Sequence, residues 1–174
     1  MPTPMAGTQA PGFFRLNVSR MPICRRRAFR RRSTPAEFQG FFDMAKAAIK
    51  VCADAGKLQL YKDGTQFAPG IVSAFAPGHT VGHSMVRVSS GSDDFLIWGD
   101  IVHCAALQFD EPARSVAFDT DPALALANRR KVLDMVTTDR LLFAGAHLPF
   151  PGVGHASKAG AGYVYVPVHF GELG

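Results

Sequence analysis

Ala76-Pro77-Gly78-His79-Thr80-Val81-Gly82-His83 decides how the rest of the chain is read. Two imidazoles stand in a Gly/Pro-rich segment between apolar runs at 71–76 and 85–88, the pattern of a loop joining two strands. Loops on a rigid scaffold commonly carry the reactive groups. The pattern then repeats. Phe95-Leu96-Ile97-Trp98-Gly99-Asp100 is an apolar run ending in a carboxylate, and Leu141-Leu142-Phe143-Ala144-Gly145-Ala146-His147 is one ending in an imidazole. Three strand-like runs each deliver a ligand-type side chain at their end, which suits a site gathered at one rim of a sheet.

Working outward, Thr34-Pro35-Ala36-Glu37 has the form of a capping box with proline at the first helical position. Phe38, Phe41, Phe42, Ala45, Ile49 and Cys52 follow at helical spacing up to Gly56, predicting an amphipathic helix whose aromatic stripe enters a core. Residues 58–62 alternate and reach Asp63-Gly64, a strand and turn signal. Strands are expected at 71–76, 84–88 and 95–98, a long connection at 101–120, and a second helix from Thr120-Asp121-Pro122 with Leu124, Leu126, Ala127, Val132, Leu133 and Val136 as its apolar positions. A strand at 141–143, a glycine-rich loop at 145–162 and a last strand at 163–168 complete the reading. This order favours an α/β layered domain.

Composition narrows the class. The chain has 174 residues, 47% hydrophobic and 19% charged, ordinary for a globular domain. No apolar run is long enough for a membrane span, so no membrane partner is expected. The first residues lack a secretory h-region, leaving the compartment open with the cytoplasm as default. Three cysteines without a CxxC pair argue against a disulfide framework and a cysteine-built zinc site. Charge is uneven: residues 1–36 hold eight arginines and no acid or lysine, so the excess of +5 belongs to that leader. Residues 1–33 read as a basic, solvated, disordered arm, with an anion-binding tail or a transit-type leader as alternatives.

Neutral imidazole nitrogen and carboxylate oxygen are the ligands of zinc-like divalent ions. His79, Asp100 and His147 supply both kinds, at separations of 21 and 47 residues that place them on different strands. A hydrogen-bonded structural role is the competing reading for any one of these histidines. His83 is expected to fix the loop or to support a ligand from behind; His103 and His155 lie near in the sequence without an independent claim.

Pro77-Gly78-His79-Thr80-Val81-Gly82-His83 resembles the PGHTxGH loop of the metallo-β-lactamase superfamily. Trp98-Gly99-Asp100-Ile101-Val102-His103 and Gly145-Ala146-His147-Leu148-Pro149-Phe150-Pro151-Gly152 are similar to that family's next two metal segments, in the form of its lactonase and methyl-parathion hydrolase branch. Ala10-Pro11-Gly12-Phe13-Phe14-Arg15-Leu16 is similar to the first strand of that branch. The resemblance implies an αββα sandwich, present here mainly as its C-terminal αβ half over 34–174. It implies hydrolysis of lactone, ester or phosphotriester bonds in a small-molecule substrate at a zinc centre of up to two ions. His79 would hold the first metal, Asp100 would bridge, and His147 would hold the second, with His83 and His103 behind them. Phe109, Leu148 and Phe150 would line an apolar substrate pocket.

One part of the family pattern is not in this sequence. Its HxHxDH motif should precede His79, yet His79 is the first of the six histidines. Without those ligands at most one weakly held zinc or other divalent ion is expected, and impaired catalysis with it. The sheet face that the other half covers would be exposed, implying a homodimer or a covering partner. Family-like sequence at 10–18 gives way to the arginine run and resumes near Pro35, so residues 19–33 read either as a native arm or as the product of a deletion or frame slip. The alternatives to a hydrolase are a non-catalytic remnant or protein-interaction module and, less favoured, a nucleic-acid binder acting through the arm.

Overall fold

The computed structural model describes residues 39–169 and 171. The arginine-rich arm, the capping box at Thr34 and the candidate first strand at 10–16 lie outside the described residues. The chain divides into two compact units, with the boundary in the described part falling after Gln59.

The first unit contributes helix α1, Gln39–Asp54. Its charged face is laced by Lys46–Asp43 and Lys50–Asp54 pairs at 2.9 and 2.7 Å, the helical spacing at which side chains meet. The aromatic stripe does not enter a core: no residue of α1 is buried, and Phe41 is 60% exposed. Among the described residues of this unit no second layer covers the helix.

The second unit is built on a seven-stranded sheet whose strands lie in chain order: β1 Gln66–Ala68, β2 Ile71–Phe75, β3 Ser84–Ser90, β4 Asp93–Ile97, β5 Leu142–Ala144, β6 Val153–Ala159 and β7 Gly162–Pro167. Every neighbouring pair is antiparallel except β4 and β5. A parallel pair needs a crossover, and residues between them provide it with the short α2, Ala105–Gln108, and α3, Pro122–Thr138. The consequence for the site is directional. Strands β2 and β4 are separated by one antiparallel strand, and β5 runs with β4, so the C-terminal ends of all three lie at one edge.

Two sequence expectations fail here. Residues 58–62 form no strand; the Lys62 carbonyl instead accepts from Thr65 and from the Ser73 hydroxyl, and the Asp63 carboxylate accepts the Phe75 amide at 2.8 Å, so this stretch is consumed by the turn and β1 begins after it. The segment 145–162 is not all loop, because it holds β6. Gly154 and Ala156 are small there because Tyr165, in the adjacent strand, fills the space above them: a Cβ on Gly154 would lie 2.5 Å from the Tyr165 ring.

Helix α3 is capped by Asp121, whose carboxylate accepts the Leu124 amide at 3.1 Å, with Pro122 opening the helix. Its buried positions are Ala125, Arg129, Val132, Leu133 and Val136. Leu124 and Ala127, expected inside, are exposed. The loop at Gly78 meets the helix at Ala125, close enough that a Cβ on Gly78 would lie 2.3 Å from the Ala125 nitrogen, and only a small residue fits there. The core joins this helix to Met85, Leu96, Trp98, Phe109, Phe143, Leu148 and Tyr163, with Trp98 stacked on Phe143 at 3.9 Å. On the opposite face the register aligns Val86, Ile97 and Ala144, and next to them Val88, Phe95 and Leu142; none of these is buried. No helix is long and apolar enough to cross a membrane among the described residues. Cys52 and Cys104 are free thiols.

Candidate metal centre

The three strand ends converge as their direction requires. The loop after β2 is pinned to the entrance of α3: Thr120 and Asp121 amides donate to the carbonyls of His79 and Gly78 at 3.0 and 2.9 Å, and the Asn128 side-chain amide donates to the Pro77 carbonyl at 2.6 Å. Pairing of β4 and β5 continues beyond their ends through Trp98 N–H to Ala144 O (2.9 Å) and Ala146 N–H to Gly99 O (3.1 Å). That extension carries Asp100 and His147 side by side, with Asp100 Oδ1 2.8 Å from His147 Nε2. His79 Nε2 lies 4.0 Å from Asp100 Oδ2. The three candidate ligands named from the sequence, His79, Asp100 and His147, thus lie at one edge.

His83 works from behind. The Asp100 amide donates to His83 Nε2 at 2.9 Å, so that nitrogen carries no proton; Nδ1 carries it and donates to the Ala76 carbonyl at 3.0 Å. Both nitrogens are spent, and the ring ties the start of one loop to the carboxylate residue of the next. Burial pushes its pKa below the ordinary histidine value. Gly99 makes the approach possible. Its φ is +61°, and a Cβ there would sit 2.9 Å from His83 Nε2.

Two residues that the sequence hid complete the arrangement. Asp119, its side chain 0% exposed, faces His79 Nδ1 at 3.2 Å and Arg129 at 3.5 Å. The buried carboxylate accepts the Nδ1 proton and leaves His79 Nε2 as the lone-pair nitrogen, the orienting role carboxylates play behind metal-binding imidazoles. Arg129 in turn donates to the carbonyls of Ile101 (2.8 Å), Pro112 (3.0 Å) and Arg114 (3.0 Å). In the sequence Arg129 belongs to Asn128-Arg129-Arg130-Lys131, which reads as a solvated helix face; nothing distinguishes the one buried member.

His103 packs between the other two imidazoles. Its ring centroid is 4.5 Å from that of His79 and 4.7 Å from that of His147. Its main chain is held by the buried Gln108, whose Oε1 accepts the His103 and Cys104 amides at 2.7 and 3.1 Å. Burial, then the neighbouring His79, pushes its pKa down to about 4, and its Nδ1 is buried without a hydrogen-bond partner among the described residues. The ligand atoms of Asp100, His103 and His147 all lie within 4.8 Å of one another, as do those of His79, His103 and Asp119. A set of imidazole nitrogens, one carboxylate and an unmatched buried nitrogen fits a divalent ion.

The remaining candidates separate. Phe109 and Leu148 are core residues and Phe150 is 80% exposed, so the three do not line one pocket. Phe109 is drawn inward by Tyr165, at 5.4 Å between ring centroids, and by the Tyr163 amide on its carbonyl. His155 is tied to the Leu141 carbonyl at 3.1 Å, at the start of β5 and away from His147.

No family model matches this sequence, and no curated protein does. Among solved structures the chain is similar to AidC, a dizinc quorum-quenching lactonase, with 25% identity and a TM-score of 0.73 over 79% of this chain and 46% of that one. It is similar to hydrolase AbOPH of the beta lactamase superfamily, with 31% identity and a TM-score of 0.73 over 79% and 49%. A probable metal-dependent hydrolase from Staphylococcus aureus, 21% identical with a TM-score of 0.56 over 67% and 42%, shares the fold. The chain thus has the fold of the metallo-β-lactamase superfamily, as a partial αββα sandwich, and these likenesses support a hydrolase ancestry of that fold. It spans just under half the length of these structures.

Proposed function

We propose that this chain is a divalent-metal-dependent hydrolase module acting on the lactone, ester or phosphotriester bond of a small molecule, with low turnover as the sequence stands. The observation that carries the reading is the convergence of Asp100, His147, His79 and His103 at one sheet edge. Asp100 and His147 anchor the ion, zinc being the first candidate, and the family resemblance adds His79 as a third ligand. A bound divalent ion supplies Lewis-acid polarisation and a water of lowered pKa. The chain's own residues do the positioning. His83 fixes the Asp100 main chain, Asp119 fixes the His79 ring, and Arg129 fixes Asp119. The low turnover follows from the ligand count: these 174 residues contain no histidine before His79, so the HxHxDH ligands are not among them.

The second reading is a non-catalytic interaction module, favoured by the apolar residues of the face opposite the core, with Ile97, Val164 and Val166 exposed. Assay of the zinc-loaded chain against a lactone, an aryl ester and a phosphotriester separates the two. The hydrolase reading expects slow turnover of at least one class that Asp100→Asn abolishes. A chain that binds zinc yet turns over none of the three supports the interaction module instead.

A further inference from the structure

Family resemblance assigns the imidazoles of His79 and His147 to Asp100. The geometry points to a different set: we propose that His103, not His79, completes the metal site, giving one ion held by Asp100, His103 and His147. This rests on the reading that the sheet edge binds a divalent ion, and it changes which residues do so.

Compactness is the first argument. Asp100, His103 and His147 place one ligand atom each within a common 4.8 Å, whereas His79, Asp100 and His147 form no such group among the described residues. Asp100 Oδ1 and His147 Nε2 are already 2.8 Å apart, a small adjustment from the roughly 3.4 Å that two ligand bonds of about 2.1 Å subtend at a tetrahedral ion. Two imidazoles and one carboxylate with an open fourth position is the ligand count of a catalytic rather than a structural zinc site.

Occupancy of the other group is the second argument. His103 also lies within reach of His79 and Asp119, and a neutral imidazole has one lone pair, so it cannot serve an ion in each group. Asp119 is fully buried and already accepts from Arg129 and His79. An ion there would have to displace the His79 Nδ1 proton from Asp119 Oδ1, at a carboxylate with no exposed surface. Asp100 and His147, by contrast, are 33% and 47% exposed, which leaves an entry path and a side for substrate.

The third argument concerns what His103 lacks. Its Nδ1 is buried with no hydrogen-bond partner among the described residues, and an unsatisfied buried nitrogen is costly to leave unpaired. Gln108 holds the adjacent amides, so the backbone around His103 is fixed while its Nδ1 has no hydrogen-bond partner among the described residues. Within this account His79 is a positioning residue: it is turned to Asp119 and packs against His103 at 4.5 Å between centroids.

The test is zinc affinity of the apo chain, measured by competition with a chromophoric chelator, in the unmodified chain and in His103→Gln, Asp100→Asn and His79→Ala. Folding of each variant is read from the fluorescence of the single tryptophan. We expect His103→Gln and Asp100→Asn to weaken zinc by more than about 100-fold, beyond the roughly 10–100-fold that loss of an orienting partner costs, and His79→Ala to stay within about 10-fold. In the unmodified chain, imidazole ¹⁵N spectra during zinc titration should show His103 and His147 shifting in step at one equivalent. Full affinity in His103→Gln, or a His79 resonance that shifts with His147 while His103 stays, overturns the inference and leaves the metal site standing. Absence of zinc binding by the unmodified folded chain overturns both.

Discussion

Arg129→Met is the sharpest test of how the site is held. Arg129 is 1% exposed and its partner Asp119 is fully buried. The substitution keeps most of the stem volume and deletes every donor. Breaking a buried charge pair by removing one member costs about 3–5 kcal/mol, and the 3.5 Å separation of this pair argues for the lower end. The carbonyls of Ile101 and Pro112 lose their donor as well, at about 1 kcal/mol each. The Arg114 carbonyl keeps the Gln108 side-chain amide at 2.8 Å and adds little. The sum is about 5 kcal/mol, a large share of the 5–15 kcal/mol that stabilises a typical domain. Urea unfolding followed through the buried Trp98, the one tryptophan in the chain, reads it directly. The double variant Asp119→Leu/Arg129→Met should recover part of the loss, because an apolar pair leaves no uncompensated buried carboxylate. A single variant within about 1 kcal/mol of the parent, or a double variant showing purely additive losses, would refute the argument that the 101–119 connection is held by this guanidinium.

Two further expectations concern the strand edge and the surface. Gly99→Ala puts a side chain at φ +61° and against His83, so a loss of about 1–2 kcal/mol from backbone strain alone should accompany weaker zinc binding through a displaced Asp100; unchanged zinc affinity would show that His83 does not set the carboxylate. Asp94 accepts from Arg87 and Ser89, and these hydrogen bonds hold its pKa at about 2 against an ordinary 3.8. Because the folded value is the lower one, its contribution to stability is present above the ordinary value and is lost as pH falls through about 2. Carboxyl ¹³C titration should show this directly, with Arg87→Ala moving Asp94 upward; an Asp94 that titrates near 3.8 in the unmodified chain contradicts the bond.

What could be read from the residues alone follows from where physical chemistry is local. The loop at 76–83 and the Gly-Asp after β4 announce themselves because turn residues and ligands interrupt apolar runs. The three ends share an edge because β3 restores the direction of β2 in β4. The chemistry behind the ligands was not legible. Asp119 and Arg129 are charged residues in a polar stretch, and their burial depends on the crossover folding back over α3. The placement of His103 was not legible either, because a bend, not spacing, sets its ring beside His79 and His147. Strand β6 was hidden because Gly154 and Ala156 carry no strand signal of their own; the bulk sits on Tyr163 and Tyr165 in the neighbouring strand. The aromatic stripe of α1 is a genuine helical period, but periodicity cannot say whether a partner layer exists.

The central claim is that this sheet edge holds one divalent ion around Asp100. Zinc content per chain, measured by elemental analysis after equilibrium dialysis against a fixed free-zinc concentration, tests it most directly when the unmodified chain and Asp100→Asn are compared side by side. The account predicts about one zinc per unmodified chain, the capacity of a single three-ligand site, and none retained by Asp100→Asn with the Trp98 signal of a folded core intact. Zinc absent from both, or retained equally by both, would contradict it.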